Sequence, residues 1–107
     1  MGIFELQADI CRCLAEPKRL MILSALKKGE MSVGEICKNM GCSQANVSQH
    51  LAVLRNQGIV STRREGVNIY YSLRSARISE ACSLVQDFLL QRLEDHNVLV
   101  SDAEHAV

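Results

Sequence analysis

Ser32-Val33-Gly34-Glu35-Ile36-Cys37-Lys38-Asn39-Met40-Gly41-Cys42-Ser43-Gln44-Ala45-Asn46-Val47-Ser48-Gln49-His50-Leu51-Ala52-Val53-Leu54-Arg55-Asn56-Gln57-Gly58 is the stretch on which the fold turns. Ser32 with Glu35 three positions on forms a capping box, in which hydroxyl and carboxylate each satisfy an otherwise orphan backbone donor, so a helix begins here. That helix reaches only to about Met40, because Gly41-Cys42 makes a turn and Ser43 is a natural N-cap for the next one. Val47, Leu51 and Leu54 then return at helical spacing, and Gly58 closes the segment. Two short helices joined by a tight glycine-containing turn predict a helix-turn-helix, a pattern shared with plain helical hairpins.

The outward side of the second of these helices carries further information. Opposite Val47, Leu51 and Leu54 on a helical wheel lie Ala45, Gln49, Ala52 and Asn56, flanked by Asn46 and Ser48. An ordinary solvated face would carry Glu and Lys, whereas between Ser43 and Leu54 there is no charged residue of either sign. Alanine permits close approach to a groove, Gln and Asn can pair bidentately with an adenine edge, and the cap residues Ser43 and Gln44 can reach phosphates. The residue types therefore point to DNA.

Downstream, Ile59-Val60-Ser61-Thr62-Arg63-Arg64, Glu65-Gly66 and Val67-Asn68-Ile69-Tyr70-Tyr71-Ser72-Leu73 read as two β-branched and aromatic strands around a glycine turn. A hairpin with Arg63 and Arg64 leading into its tip, directly after a recognition helix, reads as a wing laid along the DNA backbone or in the minor groove. The plainer alternative is an edge hairpin whose arginines serve solubility.

Upstream, Ile3, Leu6, Ile10 and Leu14 predict a short amphipathic helix ending at Glu16-Pro17. Pro17 suits the first turn of a second helix, where its missing N–H is not needed, and Leu20, Leu23 and Leu26 continue one apolar stripe to Gly29. Lys27 and Lys28 are expected in its last turn, where cations suit the helix dipole. After the hairpin, Ile78, Cys82, Val85, Leu89 and Leu93 recur at helical spacing, with Ala81, Leu84 and Phe88 widening the stripe. So apolar a helix exceeds what one small domain can cover, which predicts a homodimer through the first and last helices, with twofold symmetry setting two recognition helices about one DNA turn apart.

The expected fold class is mainly α with a small β-hairpin, in the order four helices, two strands, one helix. Residues 1–93 are expected to form one DNA-binding and dimerisation domain and 94–107 an acidic, flexible C-terminal tail. At 107 residues the chain fits a single core, and with 4% aromatic content and no Trp that core must be aliphatic, which favours helices packed on helices. Net charge is zero, but its distribution is not even. Between Ser43 and Arg74 stand Arg55, Arg63, Arg64 and Arg74 against Glu65 alone, while Glu94, Asp95, Asp102 and Glu104 fall in a tail without Lys or Arg. No run approaches the roughly 18 apolar residues of a membrane span, and the N-terminus lacks the succession of a signal peptide, so a cytoplasmic location without membrane contact is expected. Five cysteines, an odd count, read as thiols in a reducing compartment rather than as a disulfide framework.

Taken in order and spacing, Leu14-Ala15-Glu16-Pro17-Lys18-Arg19-Leu20, Ser32-Val33-Gly34-Glu35-Ile36, Ser43-Gln44-Ala45-Asn46-Val47-Ser48-Gln49-His50-Leu51, Leu54-Arg55, Gly58-Ile59-Val60 and Tyr70-Tyr71-Ser72-Leu73 closely resemble the ArsR/SmtB family of winged helix-turn-helix repressors. The resemblance covers about Ala8 to Leu73. It implies a dimer that binds a double-stranded operator, blocks transcription and leaves when an inducer binds, with Ser43, Gln44, Ser48 and His50 at positions that touch DNA; the alternative for His50 is a satisfied structural histidine.

The resemblance also bears on sensing. The family's zinc-ligand positions on the last helix fall on Ser75, Arg77, Phe88 and Gln91, none of which can hold zinc as Asp and His do, so no zinc site is expected there. The family's arsenic and cadmium sensors carry two cysteines one residue apart on the third helix, and Glu35-Ile36-Cys37-Lys38-Asn39 keeps the first alone. Cys11 and Cys13 point about 200° apart on a helix and cannot form a simple pair. Three readings stay open: arsenite or another soft metal ion held by Cys11, Cys13 and Cys37, with Cys13 and Cys37 converging across the dimer; a thiol-redox signal on a cysteine pair; and a constitutive DNA binder with no cysteine ligand. Cys82 reads as a small core residue and Cys42 as a turn residue. A helical protein-interaction module would explain the apolar last helix but neither the uncharged recognition face nor the arginine wing. No acid/base pair, phosphate loop or nucleophile arrangement suggests an enzyme, and Cys11-Arg12-Cys13 lacks the spacer of a thioredoxin-like motif.

Overall fold

The computed structural model describes residues 1–96. Its elements are α1 (Ile3–Leu14), α2 (Pro17–Leu26), β1 (Met31–Ser32), α3 (Val33–Met40), α4 (Gln44–Asn56), β2 (Val60–Glu65), β3 (Asn68–Leu73) and α5 (Ala76–Asp95). The described residues are mainly α, as expected, with five helices in the expected order. The hairpin, however, is joined by a third strand: β1 pairs antiparallel with β3, Met31 opposite Tyr71 and Ser32 opposite Tyr70, giving the order β1-β3-β2. Two residues are too few to show a periodicity, so β1 leaves no pattern in the sequence.

Local chemistry explains the boundaries. Pro17 opens α2, and the Glu16 carboxylate caps it by accepting from the Arg19 backbone N–H at 3.0 Å. The capping box of α3 is reciprocal: Ser32 Oγ accepts from the Glu35 N–H at 3.2 Å and Glu35 Oε1 from the Ser32 N–H at 3.1 Å. Gly41 then takes a left-handed φ of +67°, letting its N–H reach the Cys37 carbonyl at 2.8 Å and turning the chain toward Ser43. Ser43 Oγ accepts from the Asn46 N–H at 3.2 Å and starts α4. The wing turns at Gly66-Val67, between Glu65 and Asn68, one residue later than expected, with Gly66 supplying the positive φ.

The core is a continuous aliphatic cluster of Ile22, Leu23 and Leu26 from α2, Ile36 from α3, Val47, Leu51 and Leu54 from α4, and Ile59 and Val60, with Cys13 from α1. Every apolar residue expected on the inner side of α4 is buried. On α1 and α2 the outcome is mixed. Ile10 and Leu14 pack against the core, whereas Ile3, Leu6 and Leu20 are exposed, and Ile22 replaces Leu20 on the inner side of α2. Lys27 and Lys28 do not lie in the last turn of α2: the helix ends at Leu26, Lys27 is its C-cap, and the Lys27 ammonium donates to Ser83 Oγ on α5 at 2.7 Å. Along α5 the buried residue is Ser79, Ile78 and Cys82 are half-buried, and Leu84, Val85, Phe88, Leu89 and Leu90 face solvent. The helix continues to Asp95, past the expected end of the domain; residues 97–107 of the expected tail lie outside the described residues.

Candidate nucleic-acid interface

With Val47, Leu51 and Leu54 sealed in the core, α4 exposes Gln44, Ala45, Ser48, Gln49, Ala52, Arg55 and Asn56, preceded by exposed Ser43. Small, hydroxyl and amide side chains thus share one outward face, ringed by few charges. Asn46 is half-buried, and its carboxamide oxygen is buried without a hydrogen-bond partner among the described residues.

His50 sits apart from this exposed set. Its side chain is 15% exposed, its Nδ1 accepts a hydrogen bond from Arg19 Nε at 3.2 Å, and Glu16 Oε2 lies 3.8 Å from the same nitrogen. Arg19 Nη1 also donates to the Cys13 carbonyl at 3.1 Å. The polar junction of Glu16, Arg19 and His50 therefore ties the end of α1 and the start of α2 to α4. Glu16 and Arg19 stood in the sequence as motif residues with no assigned partner, since a pairing across 31 positions leaves no local signal.

The two wing arginines are not equivalent, because successive residues of a strand point to opposite faces. Arg63, opposite Tyr70 in the ladder, is held by two carboxylates: Nη2 and Nε donate to Glu30 Oε1 and Oε2 at 2.5 and 3.2 Å, and Nη1 donates to Glu65 Oε2 at 2.7 Å. Its guanidinium carbon stands 4.8 Å from the centroid of the Tyr70 ring. The bond from Arg63 holds the Glu30 carboxyl below the usual carboxylate range, and the two carboxylates strengthen the grip of Arg63 on its proton. Arg64, opposite Ile69, is exposed and makes no ion pair among the described residues.

The cysteines are dispersed. Cys11 is exposed and Cys13 buried, as their spacing on α1 demands, while Cys37 on α3, Cys42 in the turn that follows it and Cys82 on α5 are half-buried. Burial pushes the Cys13 thiol up, with the nearby Arg19 guanidinium acting in the opposite direction, and burial likewise pushes Cys82 up. Both shifts lower the thiolate fraction that metal binding or oxidation needs. Among the described residues of one chain, no three His, Cys, Asp or Glu side chains stand together as a metal site. Ser75, at one of the positions compared with zinc ligands, is the N-cap of α5 and accepts from the Arg77 N–H at 3.2 Å.

A tight helix-turn-helix with an uncharged polar outer face, followed by an antiparallel wing, defines a winged helix-turn-helix DNA-binding domain. The chain belongs to the ArsR family of bacterial regulatory proteins: the family model "Bacterial regulatory protein, arsR family" matches residues 16–62. It is a DNA-binding transcriptional regulator of that family. The HTH-type transcriptional regulator Rv0081 of Mycobacterium tuberculosis is 34% identical over 101 residues, 94% of this chain and 89% of that protein. The crystal structure of that relative matches with a TM-score of 0.82 at 33% identity, covering 92% of this chain and 99% of the other. The biofilm growth-associated repressor of Agrobacterium fabrum is 46% identical over 77 residues, 69% of this chain and 66% of that protein. The solution structure of the homodimeric winged helix-turn-helix DNA-binding domain of Mb0332 from Mycobacterium bovis matches with a TM-score of 0.79 at 32% identity, covering 88% and 87%. No helix among the described residues is long and apolar enough to cross a membrane.

Proposed function

We propose that the protein is a homodimeric repressor that acts in the cytoplasm by occupying a roughly palindromic operator, and that it works by binding rather than by catalysis. The observation that carries this reading is the face of α4: its apolar side chains are consumed by the core, so the exposed residues have no packing role and match the donors and acceptors of a major groove. In this reading Gln49 and Ser48 meet base edges, Ser43, Gln44 and Asn46 meet the adjacent backbone, and Arg64 lays the wing on phosphate. Arg63 braces the wing through Glu30 and Glu65, and His50 supports the helix from behind.

Dimerisation is assigned to α1 and α5, which expose Ile3, Phe4 and Leu6 and Leu84, Val85, Phe88, Leu89 and Leu90. Several large apolar side chains left exposed on one helix mark a protein contact. The name of the Agrobacterium fabrum relative supports a repressor and that of the Mycobacterium bovis structure a homodimer, without bearing on which helices form the contact. A soft-metal or arsenite inducer requires Cys13 and Cys37 to meet across that dimer, since one chain brings no thiol set together.

The test is equilibrium binding of the purified protein to its own promoter DNA over a range of salt. Binding as a dimer is expected, with affinity falling steeply as salt rises. A monomer without promoter binding at low salt overturns the reading. Adding arsenite or, separately, a disulfide or persulfide donor to the preformed complex, with Cys11→Ser, Cys13→Ser and Cys37→Ser variants as controls, decides the inducer: arsenite release that the Cys13 or Cys37 variant abolishes supports the dimer-spanning site, release by the oxidant alone supports a thiol-redox signal, and release by neither assigns a DNA binder without a cysteine ligand.

A further inference from the structure

Apolar burial holds α4 against the core, but it is not directional. Val47, Leu51 and Leu54 allow small slides and rotations of the helix, whereas hydrogen bonds to base edges tolerate only a few tenths of an ångström. A recognition helix needs a directional tether, and among its described side-chain hydrogen bonds the one reaching into the α1–α2 corner is that of His50 to Arg19, with the Glu16 carboxylate 3.8 Å from the same nitrogen.

The chemistry of that contact fixes the state of the ring. A guanidinium has five N–H donors, no acceptor and keeps its charge in a folded protein. The nitrogen it donates to must present a lone pair, so Nδ1 is the acceptor and the proton of the neutral ring sits on Nε2. Turning the ring away would strand an Arg19 N–H in a half-buried site, and that guanidinium is simultaneously anchored on the Cys13 carbonyl of α1.

We propose that Arg19 is the positioning residue of the recognition helix: by holding His50 through Nδ1 it sets the seating of α4 against the α1–α2 corner. The proposal rests on the reading of α4 as the DNA-contacting helix. Because α1 is the arm assigned to the dimer contact, the same guanidinium connects the helix that joins the protomers with the helix that meets the operator. His50 serves through its inner nitrogen, so what DNA binding requires of it is an acceptor at the δ position.

Substitutions separate this role from direct DNA contact. Asparagine carries an acceptor oxygen where Nδ1 stands, while glutamine carries an amide donor out at the ε position. Arg19→Met and His50→Phe are each expected to weaken operator binding about tenfold, with the double variant no weaker than the worse single one. His50→Asn is expected to stay within about threefold of wild type and His50→Gln to fall with His50→Phe. Rescue by Gln but not by Asn, or losses that multiply in the double variant, overturns the proposal. Nitrogen-15 NMR of the DNA-free protein with its ring neutral gives a readout independent of DNA: a single Nε2–H tautomer in wild type and a mixture in Arg19→Met. A wild-type ring protonated on Nδ1, or an unchanged tautomer in Arg19→Met, overturns the proposal without any binding measurement. Wild-type protein that shows the Nε2–H ring yet binds no promoter DNA overturns the functional reading and the positioning role together, leaving only the ring assignment.

Discussion

The helices α4 and α5 both place leucines and valines at helical spacing, yet the fold uses them in opposite ways. In α4 the apolar residues Val47, Leu51 and Leu54 are fully enclosed, and what remains outside is small, hydroxyl and amide side chains with Arg55 as its one Lys or Arg. In α5 the enclosed residue is Ser79, while Phe88 remains 58% exposed and Leu84 and Val85 more so. A helix whose apolar side chains are satisfied inside its own chain is free to present a polar surface to a polar polymer. A helix with apolar side chains left over needs more protein. In the proposed function this contrast is a division of labour, with α4 meeting the operator and α5 the partner protomer.

The same substitution on each helix should therefore behave differently. Leu51→Ala opens a cavity in a closed core and is expected to cost about 2–5 kcal/mol in urea unfolding, at any protein concentration. Leu84→Ala removes an exposed side chain, and its cost should appear only through the dimer and so depend on protein concentration. Equal, concentration-independent losses would mean that α5 is part of the protomer core after all. Charges on α5 go further. Val85→Glu with Phe88→Glu buries carboxylates in the assigned interface and is expected to weaken dimerisation by about a hundredfold or more, read by sedimentation, with helical circular dichroism retained. A dimer of wild-type strength in that variant removes α5 from the interface.

On the α4 side the expected effects are smaller and concern discrimination. Gln49→Ala should lose about 1–3 kcal/mol on the operator and little on random duplex, because a bidentate base contact is what distinguishes sequences. Arg64→Ala should weaken both duplexes alike and reduce the salt slope by about one. If Gln49→Ala weakens both duplexes equally, the uncharged face is not reading bases.

Most of the fold was legible in the sequence because its signals are local. The Ser32–Glu35 box, the Gly41 turn and the Ser43 cap each act over a few residues, and the Val47, Leu51, Leu54 period marks the buried side of α4 directly. What escaped was non-local or too short. β1 is two residues long; the exposure of Ile3, Leu6 and Leu20 depends on where α1 and α2 meet the rest of the core; and Lys27, which caps α2 instead of completing its last turn, finds its partner Ser83 56 positions away on α5. For the site, the polar outer face of α4 follows from residue type and period. The division of labour between Arg63 and Arg64 does not, since it depends on Glu30, a loop residue 33 positions away, and the anchoring of His50 depends on Arg19 in the same way.

The Glu30–Arg63 clasp belongs to neither pattern, since both partners are exposed and what joins the wing to the loop before β1 is charge rather than core. Exposed ion pairs contribute little, so the smallest effect is expected here, and it should depend on pH. The Arg63 hydrogen bond keeps the folded-state pKa of Glu30 below its unfolded value of about 4.3. Folding therefore favours the ionised carboxylate: the stabilisation is complete above the unfolded pKa and disappears as pH falls through the lower folded one. Glu30→Gln cannot ionise and lacks this contribution at every pH. The melting temperature of wild type should exceed that of Glu30→Gln by a small margin at neutral pH, and the margin should close on acidification below about pH 4. Arg63→Ala should show the same convergence, since either change removes the pair. A margin that persists unchanged into acid would mean that Glu30 acts by packing and that Arg63 is free to leave it for DNA, which would return both wing arginines to the phosphate backbone.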